Sequence, residues 1–472
     1  MYQGRGPVTL PLASVVAAMH PPTKIGLEVR ACLHLAIPLA AAQIFEASTN
    51  FIDTVMMGWL GRDVLAAGAL GAITFHAFIL VAIGFLSAVG AVASIAYGAG
   101  DRAQLNRVTI QGFWLAGAIA LPAMVLLRGI GPLLLTVGQD PDTVQLMQAY
   151  LNAIVWGFPA AAGFAALKNV ASALERPRLI TGVLFGGIAV NVAGNYLLAF
   201  SPFGLPSLGL VGLGWASTLS FWFRFLVLLA WMRGDRHLRS FQLFARWQHF
   251  DLNTSRQLIQ IGWPSAVLFA VETGLFTGAT YMVGFLGPIP LAAHQIALQT
   301  AAMTFMVPVG IAYATTMRVG QHLGRHDVLR ARRAGFVGIA LGALFMGMMA
   351  LLFWSVPGLI ISIYLDPGEP ANCEVIELAI ALLGVAAMFQ LVDGIQAIAA
   401  GALRGLKDTR VPMLIGIATY WGVGFPSAWF LGFQRGWGSQ GIWLGLALSL
   451  LFAAVVLTWR FHNQTRSWAR PS

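Results

Sequence analysis

The segment "GWLGRDVLAA" (residues 58–67) recurs as "GFLGPIPLAA" (residues 284–293), 226 positions later. The same offset aligns further identical residues: Pro38 with Pro264, Gly84 with Gly310, Gly98 with Gly324, Asp101 with Asp327 and Arg107 with Arg333. One register held across so many positions is typical of an internal duplication. The sequence therefore predicts two copies of one unit.

The composition indicates the environment in which the two repeated units fold. Apolar types make up 58% of the 472 residues and charged types 10%, with a mean hydropathy of +0.76. Soluble domains are about a quarter charged. About twelve stretches reach the roughly 20 residues that span a bilayer as a helix, and the alternation of a membrane β-barrel is absent from the sequence pattern. We expect an all-α integral membrane protein with twelve transmembrane helices.

The net charge of +10 is distributed unevenly. Of the 28 Lys and Arg residues, 23 fall on one set of loops and tails, three fall on the other set, and Lys168 and Arg224 lie nearer helix bodies. The positive-inside rule makes the crowded set cytoplasmic, together with both termini. We therefore expect a multi-pass protein of the bacterial cytoplasmic (inner) membrane and no nucleic-acid partner.

Six helices per copy place both copies in the membrane the same way round. The two lobes should then be related by a pseudo-twofold axis along the membrane normal, with a cavity between them. The predicted boundaries, in chain order, are a cytoplasmic tail (1–27), the N-lobe (28–233), a cytoplasmic linker (234–256), the C-lobe (257–462) and a second tail (463–472).

Both the first tail and the linker allow more than one interpretation. The stretch "VTLPLASVVAAMHPPTK" (8–24) lacks a convincing cleavage site, so we interpret it as tail rather than signal peptide, with Met1 or Met19 as the true start. The linker mixes Arg and His with Phe241, Phe244 and Trp247. That pattern suits contact with membrane lipid, and an ordinary amphipathic linker explains it equally well.

Four carboxylates fall inside predicted spans: Glu46, Asp53, Glu272 and Asp393. Each costs on the order of 3 kcal/mol at a helix centre, so each is expected to face the interior and to be functional. A protonated structural acid is the alternative. Glu46 and Glu272 occupy the same position in the two copies, whereas Asp53 aligns with an alanine.

The residues expected to surround the acids differ between the two lobes. Asn191 and Asn195 lie one turn apart on the fifth helix and Thr218 lies on the sixth, so they could surround Asp53 as an ion site, a proton-switched network or simple interhelical glue. In the C-lobe, Glu272 and Asp393 would compete for the charged form, and a proton or a sodium ion would relieve that conflict.

No HExxH, GxSxG or Walker motif stands in a credible setting in the sequence. We expect a transporter without a cofactor, driven by an ion gradient, rather than an enzyme or an ATPase. A passive channel would need a continuous polar pore lining, which the sequence does not show.

Four segments carry a family resemblance: "FIDTVMMG" (51–58), "LAAHQIALQ" (291–299), "VPVGIAYATTMRVGQHLG" (307–324) and "FQLVDGIQAIAAGALRGLKDTR" (389–410). They are similar to the NorM-like branch of the MATE (multidrug and toxic compound extrusion) family. The resemblance extends from about Leu33 to Trp459. It implies a monomeric antiporter that exports hydrophobic organic cations, such as drugs and dyes, in exchange for H⁺ or Na⁺.

The resemblance also implies site residues. It assigns Glu272 and Asp393 to a C-lobe cation site. It assigns an N-lobe cation, proton or substrate site to matching positions of the first, fifth and sixth helices: Asp53, Asn191, Asn195 and Thr218. Two departures are Phe389, where some sodium-coupled members carry tyrosine, and Glu46, which is unusual at its position and could add a titratable group to the N-lobe.

Two interpretations stay open at this point. His294 and Gln295 follow a short outer loop and could contact ion or substrate, or His294 could be a hydrogen-bonded packing residue. The alternative function is a lipid-linked saccharide flippase of a related family. Such proteins tend to line the cavity with cations, whereas the deep charges of this chain are mostly acidic.

Overall fold

A computed structural model describes residues 25–136, 138–200, 207–239, 241, 243–244 and 250–468. The predictions for Met1, Met19 and Trp247, and for the chain before residue 25 and after residue 468, lie outside these residues. Within the described part there is no β-strand, and twelve helices are long and apolar enough to cross a membrane.

The twelve helices follow the predicted order. Their bounds are α1 Ile25–Trp59, α2 Arg62–Ala99, α3 Arg102–Arg128, α4 Pro141–Ala173, α5 Pro177–Phe200, α6 Gly209–Gly234, α7 Leu252–Gly284, α8 Pro288–Gly324, α9 Val328–Ser355, α10 Pro370–Gly405, α11 Arg410–Gln434 and α12 Gly438–Trp468. Short helices lie at Ile130–Thr136, Arg236–Arg239 and Pro357–Ile361. Most of the twelve are longer than the roughly 17–25 residues that cross the hydrocarbon core, so they project beyond that core.

Local sequence signals set the helix ends in both lobes alike. The Asp101 side chain accepts a hydrogen bond from the Gln104 amide (2.8 Å) and caps α3. Asp327, its equivalent in the second copy, accepts from the Arg330 amide (2.9 Å) and caps α9. Gly100 ends α2 in the left-handed region at φ 71°. Capping therefore repeats with the sequence duplication.

The two lobes meet through symmetric close approaches. A Cβ atom on Gly84 of α2 would collide with the backbone of Ala266 on α7, and one on Gly310 of α8 would collide with the backbone of Ala40 on α1. The two contacts are equivalent in the duplication, because Gly310 follows Gly84 by 226 positions and Ala266 follows Ala40 by 226 positions. Only glycine lets two backbones approach this closely. The predicted pair of six-helix lobes is confirmed.

Further contacts between the lobes lie towards the face at which α1 begins and α12 ends, here named the terminal face. Gly98 packs on the carbonyl of Gln321, and its equivalent Gly324 packs on the carbonyl of Ile95. One buried core runs through both lobes, and its members on α1 and α2 lie in the halves of those helices nearer the terminal face, whereas a second core, which includes Met56, belongs to the N-lobe alone. The lobes are therefore joined near the terminal face.

Candidate functional site

The two C-lobe carboxylates are bridged by one amide. Gln396 of α10 donates through Nε2 to Glu272 Oε1 of α7 (2.9 Å) and to Asp393 Oδ1 of α10 (3.2 Å). The Tyr420 hydroxyl of α11 donates to Gln396 Oε1 (2.8 Å), so its amide orientation is fixed. Three helices thus bring an acid, an amide, a second acid and a phenol together.

This cluster is buried and lacks a fixed counter-ion at contact distance. Asp393, Gln396 and Tyr420 are buried, and Glu272 is half-buried. Across the described residues, no Lys, Arg or His side chain forms an ion pair with either carboxylate. Arg404 of α10 interacts with Glu272 over a longer distance. The arrangement can hold a mobile cation.

Sequence reasoning identified the two acids and missed the groups between them. Gln396 was predictable from the sequence, because it lies three residues after Asp393 on the same helix face. Tyr420 gave no local signal, since it lies in a π-helical turn of α11 (Ala418–Gly424). The ring of Phe389 packs against Phe276 and Trp443. Phe389 has no hydroxyl group, and the phenol of this cluster is that of Tyr420 on α11.

His294 is held in a packing role by two hydrogen bonds. Its Nδ1 accepts from the Trp443 indole (3.0 Å), and its Nε2 lies 3.0 Å from the Thr280 hydroxyl. The ring is buried, which matches the second of the two interpretations above. Gln295 is exposed. The histidine therefore joins α7, α8 and α12.

The N-lobe site forms around Asp53 of α1. Asn195 donates to Asp53 Oδ1 (2.7 Å), and the Ser217 hydroxyl donates to Oδ2 (3.2 Å). Asn191 donates to Ser217 (3.4 Å) and accepts from Asn195 (3.3 Å). The predicted convergence of α5 and α6 on this carboxylate is present.

The hydroxyl of this site differs from the predicted one. Thr218 donates to the backbone carbonyls of Ala153 (2.9 Å) and Ile154 (3.3 Å) on α4, away from Asp53. Successive residues of a helix point about 100° apart, so Ser217 and Thr218 cannot face the same carboxylate. The sequence pattern named the right turn of α6 and the wrong residue of it.

Glu46 lies in a different environment from its C-lobe equivalent. Lys168 Nζ of α4 lies 2.9 Å from Glu46 Oε1 and 3.5 Å from Gln43 Oε1. Arg224 of α6 donates to Thr49 (3.2 Å) and interacts electrostatically with Glu46 and Asp53. The two residues that the charge count had left near helix bodies thus enter the N-lobe interior.

The described residues contain no cluster of three or more His, Cys, Asp or Glu side chains that would hold a metal ion. In the C-lobe cluster, the carboxylate oxygens of Glu272 and Asp393 could accept a single small cation. The chemistry available there is the binding and release of one small cation.

Comparison with known proteins relates nearly the whole chain to one family. The MatE family model matches the chain twice, at residues 38–197 and 264–430. A protein named "Probable multidrug resistance protein NorM" from Synechococcus sp. is 41% identical over 443 residues, which is 94% of this chain and 96% of that protein. One with the same name from Pseudomonas aeruginosa is 42% identical over 439 residues, covering 93% and 90% respectively.

Solved structures share the fold. One described as "Outward-facing conformation of a multidrug resistance MATE family transporter of the MOP superfamily" has a TM-score of 0.84. It is 16% identical and covers 96% of this chain and 100% of that one. The two-lobed arrangement is therefore shared well beyond the range of close sequence similarity.

Proposed function

This chain belongs to the MatE family, a family of multidrug efflux transporters rather than enzymes, and we propose that it is an antiporter. It exports hydrophobic organic cations in exchange for H⁺ or Na⁺ by alternating access. The relatives named for multidrug resistance support the cargo class. Twelve membrane-spanning helices and bacterial relatives make it a multi-pass bacterial membrane protein.

The observation that carries the proposal is the bridged acid pair of the C-lobe. Two carboxylates that share one amide in a buried site cannot both stay charged at low cost, so binding of a cation is favourable there. When the cation leaves, the pair must rearrange through Gln396, which links α7, α10 and α11. Cation binding is thereby coupled to helix geometry.

The orientation of Gln396 favours H⁺ over Na⁺ as the coupling ion. Its amide nitrogen occupies the space between the two carboxylates, where a sodium ion would need oxygen ligands. A proton can be added to either carboxyl group without displacing the amide. Sodium would require the amide to turn and to lose its bond from Tyr420.

The Asp53 network is proposed as the second functional site, for a proton or the cationic substrate. Besides the carboxylate, it holds a buried acceptor, since Asn195 Oδ1 has no hydrogen-bond partner in the described structure. An orphaned acceptor of this kind costs about 1–3 kcal/mol. A proton on Asp53 would satisfy it once the Asn195 amide turns, and so would an ammonium group of the substrate that reaches it.

The lobe contacts support a proposal for the conformation within the transport cycle. The positive-inside rule places the terminal face in the cytoplasm of the inner membrane. Because the lobes are joined there, this arrangement corresponds to an outward-open state of a protein that works as a monomer within membrane lipid. Export then requires the terminal face to open and the opposite face to close.

The flippase alternative needs cations that are free to hold a diphosphate. Lys168 is instead paired with Glu46, and Arg224 is bonded to Thr49. The Nε atoms of Arg224 and Arg404 have no hydrogen-bond partner among the described residues, so it is the pairing of Lys168 that favours the antiporter over the flippase.

Intact cells that lack other drug pumps provide the test. They are loaded with a fluorescent cationic dye and given either an acid pulse or a sodium pulse outside. We expect acid to trigger efflux through this protein. Efflux triggered by sodium alone would reverse the preference for H⁺, and the absence of efflux under both pulses would overturn the antiporter in favour of the flippase.

A further inference from the structure

The duplicated chain places a glutamate at the same position in each lobe and gives the two different partners. Glu46 on α1 and Glu272 on α7 are 226 residues apart. Each meets a side chain of the fourth helix of its own lobe, which is α4 in one case and α10 in the other. On α4 that partner is the ammonium group of Lys168, whereas on α10 it is the neutral amide of Gln396.

The ammonium group of Lys168 is built into the N-lobe site. The Lys168 side chain is 8% exposed, and its Nζ lies 2.9 Å from Glu46 Oε1. That distance is typical of a charge-assisted hydrogen bond. A charged group so buried persists only with such a partner. Lys168 therefore supplies Glu46 with a positive charge that cannot diffuse away.

The other groups near Glu46 come from several helices. Gln43 of α1 also accepts from Lys168 at 3.5 Å, and the Tyr313 ring of α8 lies 5.9 Å from Lys168 Nζ. Arg224 of α6 and His76 of α2 interact with Glu46 electrostatically. Arg224 also interacts electrostatically with Asp53, and it donates its hydrogen bond to the Thr49 hydroxyl rather than to Glu46. Among the cations that the structure describes, only Lys168 makes a contact ion pair with Glu46.

We propose that Lys168 is a tethered substitute for the coupling cation, so that Glu46 carries a permanent internal cation where Glu272 takes a mobile one. This rests on the proposed antiport function and deepens it, because it assigns cation exchange at this pair of equivalent glutamates to the C-lobe. It also differs from the sequence-based hypothesis that Glu46 adds a titratable group to the N-lobe.

The test uses purified protein in liposomes, with the initial rate of dye transport measured against pH under an imposed proton gradient. Lys168→Met leaves Glu46 without its cation, so Glu46 must take a proton from solution. The slope of log rate against pH should then increase by about one, since one more proton is bound per cycle. Lys168→Arg keeps the charge and should keep the wild-type slope, and so should Glu46→Gln/Lys168→Met, which removes both charges.

Glu46→Gln alone gives a second test that does not depend on Lys168→Met folding. Since Glu46 binds no mobile proton, and Lys168 without its partner releases its proton and stays neutral throughout the cycle, this variant should keep the wild-type slope while its thermal stability decreases. A decreased slope in Glu46→Gln, or an unchanged slope in folded Lys168→Met, would overturn the tethered cation. Wild-type protein without gradient-driven transport would instead contradict the antiport function itself.

Discussion

At the scale of single residues, Asp53 has the most nearly complete hydrogen bonds among the four acids inside the spans. Both of its oxygens accept a donor, from Asn195 at 2.7 Å and from Ser217 at 3.2 Å. Hydrogen bonds to a charged group are worth about 1.5–3 kcal/mol each, so any change of its charge must rearrange α5 and α6 around it. Asp53 is therefore positioned to convert protonation or substrate binding into helix movement.

We expect Asp53→Asn to shift or flatten the pH profile of dye efflux and to lower the maximal rate about tenfold or more, since about 1.4 kcal/mol is a factor of ten. The measurement is the initial rate of efflux across a series of external pH values. Thr218→Val serves as the matched control, because Thr218 bonds only to the backbone of α4. A pH profile identical to wild type would reduce Asp53 to a packing residue.

The residue scale also shows where sequence reasoning ends. Buried acids are visible in a sequence because they are rare in apolar spans, and a partner three residues away on the same helix, such as Gln396, can be deduced. The contacts of Glu46 with Lys168 and of Gln396 with Tyr420 cross between helices. Neither contact has a local signal, because it depends on how the helices rotate and bend.

At the scale of elements, an ion-pair network joins α8 of the C-lobe to the N-lobe at the terminal face. The Arg318 guanidinium donates to both oxygens of Glu28 on α1, at 2.9 Å each, and to Glu175 after α4 at 3.3 Å. His322 Nε2 lies 3.2 Å from Glu28. Arg318 and Glu28 are largely buried. This network must break when the lobes separate at this face.

A weaker inter-lobe contact lies nearby, between Arg107 of α3 and Asp251 at the start of α7 (3.5 Å). The hydrogen bond from the Thr254 hydroxyl, with Arg107 adding to it, keeps the pKa of Asp251 below its ordinary value. Asp251 therefore stays ionised in mild acid, and an acid pulse should leave this contact in place.

We expect Arg318→Gln to open the terminal face. A pair this buried costs about 3 kcal/mol to break, which corresponds to a population change of more than tenfold. Cys32 of α1 is a native probe, since it is buried beside Thr315 of α8. In a Cys373→Ser background, which removes the exposed second cysteine, a membrane-permeant maleimide should label Cys32 about tenfold faster than without Arg318→Gln.

The matched control for that experiment is Arg330→Gln. It breaks a 2.9 Å pair between Arg330 and Asp327 that lies within α9 and its cap and does not cross between the lobes. Labelling of Cys32 should stay at the starting rate. Equal labelling rates for Arg318→Gln and Arg330→Gln would show that the network does not hold the lobes together.

Much of the element scale was predictable. Hydropathy located twelve helices, and the repeat at 226 residues paired them across the lobes. The outer helix ends differ by a few residues from the predicted lobe boundaries at 28 and 462. The first helix, α1, begins at Ile25, and the last, α12, continues to Trp468. The π-helical turns of α5 and α11 were not predicted. Such turns arise from packing between helices and leave no pattern in hydropathy.

At the scale of the whole molecule, two homologous lobes have acquired different electrostatics. The N-lobe interior combines Glu46 and Asp53 with two cations of its own, whereas the C-lobe acids share an amide. Duplication supplies the symmetry that alternating access needs, and we propose that the divergence of side chains decides which lobe exchanges a cation. The central claim is that the C-lobe pair couples cation entry to substrate export.

The most direct measurement is dye transport in liposomes under an imposed proton or sodium gradient, comparing wild type with Glu272→Gln and Asp393→Asn. We predict that each substitution abolishes gradient-driven transport while the protein stays folded and monodisperse. Glu377→Gln, at an exposed position of the same α10, should transport as wild type does. Gradient-driven transport at the wild-type rate in both Glu272→Gln and Asp393→Asn would contradict the account.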